Sequence, residues 1–409
     1  MITQQLDVFI NIENRKLLVG KLLQKMHEIF FEYASDFLTT NLDISPFKLS
    51  LKSGVQNNKE KVFAGLPGVF HDSLPDGWGL LLMDRYFRKN KIDPHTVTPL
   101  QRLAYLGERA LGALSYEPCD EFNFNLATKL KLETLARNCE KFLQGKDQQL
   151  LPELIIAGGS PGGARPKVIV AYNSANETLL ADTQNIPQGY QHFLIKFSAL
   201  TEISDKPEIE YAYSLMAHDC GVTMSETRLF NAGKFGPVFG TARFDRKGDQ
   251  RIHMHTLSGL LHADYRIPNL DYSDYLKATW VLTQNIEEVY QAYRRMIFNI
   301  LTHNRDDHSK NFSFLLDEHQ WRLSPAYDLT FSSGIAGEHT MTIAGEGANP
   351  KLEHCLEVAK KLDLNAARVK TIIKEVSSVI ADWSHYAKQA KVIKADQKHI
   401  SSVFNNLKL

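Results

Sequence analysis

The segment Thr302-His303-Asn304-Arg305-Asp306-Asp307-His308-Ser309-Lys310-Asn311-Phe312 concentrates paired carboxylates, imidazoles, cations and amides between a helical apolar pattern and the apolar run Phe312 to Leu316. Asp306 and Asn311 stand five apart. That is the interval at which a phosphoryl-transfer loop places a carboxylate that accepts a hydroxyl proton and an amide that holds Mg2+. His308 lies inside the same loop, and Lys310 is placed to neutralise a transferring phosphate. Downstream, Leu323-Ser324-Pro325-Ala326-Tyr327-Asp328-Leu329 supplies Asp328 after a strand-like stretch, where a second magnesium ligand belongs. Hard oxygen donors suit that ion. A rival reading takes His303, Asp306, Asp307 and His308 as transition-metal ligands of a phosphohydrolase.

The rival accounts for neither of two further features. The stretch Gly158-Gly159-Ser160-Pro161-Gly162-Gly163-Ala164-Arg165-Pro166-Lys167 runs straight into the β-branched Val168 to Tyr172. Glycines let backbone N–H groups approach an anion without Cβ obstruction, as a phosphate-cradling loop requires. A Walker A loop or a dinucleotide fingerprint would open a helix instead, so Gly158, Gly159, Ser160, Gly162, Gly163, Ala164 and Lys167 read as a lid between strands. A flexible surface loop is the plain alternative. Lys196 sits inside the apolar strand-like His192 to Phe197, and a lysine there wants a partner, either a phosphate or Glu210. His253, His255 and His262 lack a supporting thiol or carboxylate cluster and read as surface histidines.

These residues need a scaffold, and the composition allows a large one. The chain has 409 residues, 47 Lys+Arg against 47 Asp+Glu, and 43% hydrophobic content. At roughly 100–200 residues per domain, two or three domains are expected. Balanced charge gives no case for a polyanion partner, and no stretch reaches the ~20 apolar residues that span a bilayer. The start, MITQQLDVFINIENRK, lacks the basic and apolar regions of a secretion signal, so the cytoplasm is the expected compartment. Cys119, Cys139, Cys220 and Cys355 form no C-x-x-C pair and read as buried thiols.

Along the chain, Leu6 to Ile12 and Phe47 to Leu51 look β-like, and His71 to Gly79 is a turn leading to a helical Leu80 to Tyr86. This portion reads as a separate α+β module. Leu126 to Gln144 is helix-prone, with Gly145 as its stop. Strand patterns follow at Val168 to Tyr172, His192 to Phe197, Thr227 to Phe230 and Val238 to Phe244, interrupted by a helical Glu208 to Asp219. Helical spacing then dominates at Tyr272 to Leu282, Ile286 to His303, Leu352 to Leu362 and Ala366 to Ala390.

On these residues the chain resembles the HipA family of serine/threonine protein kinases, the toxin components of bacterial toxin–antitoxin pairs. The matching motifs are Asp72 to Gly79, Leu106 to Leu114, Ser160 to Lys167, Phe193 to Phe197, Ala242-Arg243-Phe244-Asp245-Arg246, Asp306 to Phe314 and Tyr327-Asp328-Leu329. The resemblance implies an α+β, two-lobed kinase-like fold with a β-rich N-lobe, an all-helical C-lobe and an extra N-terminal α+β subdomain. The boundaries are then 1–120 for the subdomain, 121–150 for a helical connection, 151–248 for the N-lobe and 249–409 for the C-lobe.

It implies Asp306 as catalytic base, His308 and Lys310 in the catalytic loop, Asn311 and Asp328 on Mg2+, and Lys196 on the ATP α/β-phosphates. Arg243, Phe244 and Asp245 would form the adenine-side hinge, and Ser160 would be autophosphorylated. Asp307 stands where the family commonly has glycine, and the interval to Asn311 assigns the base to Asp306. Implied partners are a helix-turn-helix antitoxin, operator DNA only through that complex, and protein substrates that include aminoacyl-tRNA synthetases, with no membrane partner. All of these residues are expected to converge on one nucleotide; a catalytically silent kinase-like binding protein is the alternative within the same fold.

Overall fold

The structure, a computed structural model, describes residues 4–13, 15–119, 129–145, 154, 163–181, 186–198 and 206–407. The chain divides into two compact units, the first comprising Met1–Ala199, Phe230–His255 and Gly259–His262, the second Leu200–Leu229, Thr256–Ser258 and Ala263–Leu409.

In the first unit, strands β1 (Gln5–Ile12), β2 (Arg15–Lys25), β3 (Glu28–Tyr33), β4 (Gln56–Asn57) and β5 (Leu114–Glu117) form an antiparallel sheet in the order β4-β3-β2-β1-β5. Leu6, Val8 and Ile10 alternate inward along β1, the period of a half-buried strand. Helix α1 (Gly77–Lys89) follows the Pro75-Asp76 turn. Helix α2 (Pro99–Leu106) starts from a capping box of Thr98 and Gln101, with proline at its first position. Phe47 to Leu51, expected as a strand, is turn instead: Leu49 N–H bonds to Ser45 O and Lys52 N–H to Ser50 O, so local bonds take the donors a strand would need.

A second sheet begins with β6 (Lys129–Leu130). Helix α3 (Leu132–Leu143) follows and stops before Gly145, whose φ is +68°. The sheet continues through β7 (Lys167–Asn173), β8 (Thr178–Ala181), β9 (Gln191–Lys196), β10 (Thr227–Asn231) and β11 (Pro237–Ala242). Strands β11-β9-β7-β8-β6 lie in that order, and β7, reading KVIVAYN, is buried on both faces. Trp78, Leu82, Met83 and Phe87 of α1 share one core with Leu135, Cys139 and Phe142 of α3 and with Val168, Val170, Phe193 and Ile195 of the sheet. Helix α1 of the N-terminal module therefore packs on α3 and the second sheet. At ~1.5–3 kcal/mol for each large apolar side chain buried, this shared core binds them into one body.

The second unit is rich in helix: α4 (Pro207–Asp219), α5 (Tyr272–Thr283), α6 (Ile286–Leu301), α7 (Leu352–Lys361), α8 (Ala366–Ile380), α9 (Trp383–Gln389) and α10 (Lys394–Phe404). The expected helix over Ala366 to Ala390 is two helices, parted where Asp382 leaves helical geometry at φ −95°, ψ 26°. A hairpin of Ser313–Asp317 and Gln320–Leu323 also lies here, with Phe314 opposite Leu323. None of the four cysteines is in a disulfide. Cys139, Cys220 and Cys355 are buried as expected, whereas Cys119 is exposed. Among the described residues no helix is long and apolar enough to cross a membrane.

Candidate functional site

Helix α6 delivers the loop that bears Asp306. Asn285 caps its start by accepting from Glu287 N–H, and Val289, Ala292, Tyr293, Met296 and Ile300 bury one face at three- and four-residue spacing. At its end Thr302 Oγ1 donates to Phe298 O, and Tyr213 Oη of α4 donates to Thr302 O at 2.5 Å. The chain then turns through His303, whose φ is +52°, and Asn304 bridges to Ser332.

Asp306, Asn311 and Asp328 line one cavity with Asn299, Asn304 and Tyr327. The Asp306 side chain is 55% exposed, and His308 Nε2 stands 3.8 Å from its Oδ1. Asn311 Nδ2 donates to Asp306 O at 2.8 Å, which fixes the loop and leaves the amide oxygen of Asn311 as the atom available to a cation. Tyr327 Oη donates to Lys310 O at 2.6 Å, tying the Asp328 turn to the same loop. Asp328 has φ +58°, a left-handed conformation uncommon outside glycine and most tolerated by Asn and Asp. The donor set of carboxylate and amide oxygens fits Mg2+. Lys310 Nζ lies over the Tyr265 ring at 4.7 Å, and that ring is 5.4 Å from the His308 ring.

Asp307 borders the same cavity, but its carboxylate is taken up by neighbours. Its fully buried carboxylate accepts from Tyr272 Oη (2.8 Å) and Thr340 N–H (2.7 Å) and pairs with His339 Nδ1 (2.7 Å). His303 stacks on Phe331, with Nδ1 3.2 Å from Ser332 O. Two members of the rival metal set are thus engaged elsewhere. Among the described residues no group of three or more His, Cys, Asp or Glu is arranged to hold a metal ion.

The remaining expected site residues lie in the first unit. Gly158, Gly159, Ser160 and Gly162 are outside the described residues, while Gly163, Ala164 and Lys167 are within them. Gly163 N–H donates to Asp76 Oδ1, Trp78 N–H donates to Gly163 O at 2.9 Å, and Trp78 Nε1 donates to Lys167 O at 3.0 Å. Gly77 has φ +43°, and a Cβ there would stand 2.5 Å from Gly163 O, so only glycine permits this approach. The Asp76-Gly77-Trp78 turn therefore anchors the exit of the glycine-rich stretch. The sequence marked it as a turn and as a motif of the family resemblance but not as an anchor, because its partner lies almost ninety residues away.

Lys167 and Lys196 are direct cross-strand partners in β7 and β9, 4% and 5% exposed. Side chains directly opposite in an antiparallel pair share a face, and like charges there repel. Both lysines thus stand on one face of the sheet.

Arg243 N–H extends the β9 pairing to His192 O, and Phe244 follows. Asp245 is buried and accepts from Arg243, Arg246 and Gly112 N–H. Burial alone would raise its pKa, but the two guanidinium groups outweigh that and hold the carboxyl far below the usual range. Strands β12 (Arg246–Lys247) and β13 (Gln250–Arg251) form a short hairpin, from which Arg251 donates to the carbonyls of Glu108, Ala110, Gly112 and Leu114.

The three histidines that follow are buried, contrary to the surface expectation. His253 Nε2 bonds with Ile44 O, and His262 bonds with Gly68 N–H and Glu60. His255 lies between Ser45 Oγ (3.0 Å) and Asp72 Oδ2 (2.6 Å). That is the order of a serine-hydrolase triad, but Ser45 is 1% exposed and no carbonyl substrate reaches it, so it is a structural relay.

Family models match both portions of the chain: the HipA N-terminal domain over residues 7–117 and the HipA-like C-terminal domain over residues 159–383. A relative from Sinorhizobium fredii named "Putative kinase Y4dM" is 27% identical over 157 residues, 35% of this chain and 38% of the relative. The chain thus spans under two fifths of that relative's length. The HipA chain of the Shewanella oneidensis MR-1 HipA, HipB and operator DNA complex superposes with TM-score 0.73 at 15% identity, covering 98% of this chain and 95% of that one, a likeness of fold. The Helicobacter pylori proinflammatory kinase CtkA superposes with TM-score 0.34 at 13% identity over 57% of this chain and 97% of its own. With matches to both of its domains, the C-terminal one spanning more than half of the residues, the chain belongs to the HipA family.

Proposed function

We propose that this chain is an ATP- and Mg2+-dependent protein kinase that transfers the γ-phosphoryl group to a serine or threonine hydroxyl. The observation that carries the reading is the separation of two adjacent carboxylates. Both border one cavity with Asn311 and Asp328, but the Asp307 carboxylate is consumed by Tyr272, His339 and Thr340, while the Asp306 side chain is left solvent-accessible. Asp306 is the base that orients the acceptor hydroxyl and takes its proton. Asn311 and Asp328 present the oxygens that would hold Mg2+, which neutralises phosphate charge when bound. Lys196 and Lys167 hold nucleotide phosphates, and Arg243 to Asp245 form the adenine-side hinge through their backbone, since the Asp245 carboxylate is committed to its arginines. Positioning and charge stabilisation then supply most of the rate.

On the same reading Ser160 is a self-phosphorylation site. A phosphate on the glycine-rich stretch competes with ATP phosphates for the same donors and repels them. The Shewanella relative is found with HipB and operator DNA, which supports a small helix-turn-helix antitoxin as partner here, with DNA contacted through that complex. Aminoacyl-tRNA synthetases are the first substrates to try, and the cytoplasm is the matching compartment.

Comparing Asp306→Asn with the unsubstituted chain tests the assignment. Transfer from labelled ATP to protein should drop by ~10²-fold or more while affinity for a non-hydrolysable ATP analogue stays within about twofold. Equal transfer by the variant removes Asp306 as base.

A further inference from the structure

We propose that Asp307 is a positioning residue that locks the segment 339–345 onto the loop of Asp306 and so fixes the direction in which the base points. The proposal rests on the kinase reading for its kinetic consequence and on geometry alone for the lock.

The lock has three charged anchors. Asp307 accepts Thr340 N–H and pairs with His339. Arg305, its neighbour but one, donates to Gly337 O and, at 2.8 Å, to Ala348 O, and its own carbonyl accepts from Thr340 Oγ1. Asp271, the cap of α5, accepts from Thr342 Oγ1 (2.8 Å) and Gly345 N–H (3.0 Å), and Leu270–Asp271 pairs in parallel with Met341–Thr342.

Behind Asp307 the bonds continue into the helices. Tyr272 Oη accepts from Asn299 Nδ2, and Asn299 Oδ1 accepts from Asn304 Nδ2. A buried carboxylate is tolerated only with such a set of donors. Asp306 and Asp307 are adjacent, one exposed and the other buried, so pinning Asp307 sets the orientation of its neighbour. Misplacing a reacting group by about 1 Å costs as much as ~10²-fold in rate. A glycine or alanine at this position leaves the segment to its other contacts; the carboxylate in this chain adds the link.

The experiment compares the full chain with Asp307→Asn and Thr342→Val. Asparagine keeps the shape and the acceptor for Thr340 N–H but loses the charge. Valine removes one bond of the independent Asp271 anchor. Two readouts are taken: kcat and KM for ATP in phosphotransfer to casein, and amide hydrogen exchange across 336–346.

The expected result is at least a tenfold fall in kcat for Asp307→Asn with KM for ATP within twofold, a smaller fall of the same kind for Thr342→Val, and faster exchange across 339–345 in both. A rise in KM for ATP with loss of Mg2+ dependence would place Asp307 in the nucleotide machinery and overturn the proposal. So would unchanged kcat or unchanged exchange in Asp307→Asn. If the unsubstituted chain transfers no phosphate, the kinase reading fails, and exchange in Asp307→Asn still decides the lock on its own.

Discussion

His253 converts burial into a pH dependence that can be calculated. Its ring is enclosed and bonded to Ile44 O, with His255 and Asp72 nearby. Burial, reinforced by His255, lowers its pKa from 6.5 to about 4, against the pull of the Ile44 bond and Asp72. The unfolded chain therefore binds a proton that the folded chain refuses between those values. Stability from this group is complete above the unfolded value and falls as pH drops toward the folded one. At ~1.4 kcal/mol for each tenfold change in proton affinity, about 2 kcal/mol is gone by about pH 5 and about 3 kcal/mol below pH 4. For a unit of this size ~1 kcal/mol moves Tm by about 2–4 °C, so the first unit should melt about 4–8 °C lower at pH 5 than at pH 7. His262, lowered by burial as well, acts in the same direction.

The assay is chemical unfolding across that range for the unsubstituted chain and for His253→Gln, whose amide can still donate to Ile44 O but does not titrate. The variant should lose about 2 kcal/mol of the pH dependence. Identical slopes in the two proteins would refute the reasoning, because the protons would then be taken up elsewhere.

Other consequences follow from the same structure. Arg251→Met removes the donor to four backbone carbonyls and should cost ~3 kcal/mol or more, lowering Tm by at least ~6 °C in thermal melts. Asp328→Asn should weaken Mg2+-dependent nucleotide binding by about tenfold or more in calorimetric titration, without a matching loss in the absence of Mg2+. Cys119 is exposed, whereas burial pushes the Cys139, Cys220 and Cys355 thiols up to about 12. A thiol reagent should therefore modify one cysteine per folded chain quickly and the other three only on unfolding.

Much of the architecture was legible because its signals are local. The helical spacing of Glu208 to Asp219 and of Ile286 to His303 and the β-branched text of β7 each state their structure within a few residues. The five-residue interval and Asp328 likewise pointed to the residues that line one cavity. What could not be read depends on distant partners. The burial of His253, His255 and His262 is made by Ile44, Ser45, Glu60, Gly68 and Asp72, some two hundred positions earlier. The interval to Asn311 singled out Asp306 as the base, but the task of Asp307 is set by Tyr272, His339 and Thr340, which no local pattern names. The core that α1 shares with β7 and β9 joins residues that no local pattern relates.

The most direct test is a single labelling reaction. The purified chain is incubated with ATP carrying a γ-label and Mg2+, then examined by intact mass and peptide mapping. A phosphate from the γ position on a serine or threonine, first on the peptide containing Ser160 and absent in Asp306→Asn, is the predicted result. Release of free phosphate with the protein unlabelled, or labelling of Asp306→Asn as fast as of the unsubstituted chain, would contradict the assignment of Asp306, Asn311 and Asp328 to phosphoryl transfer.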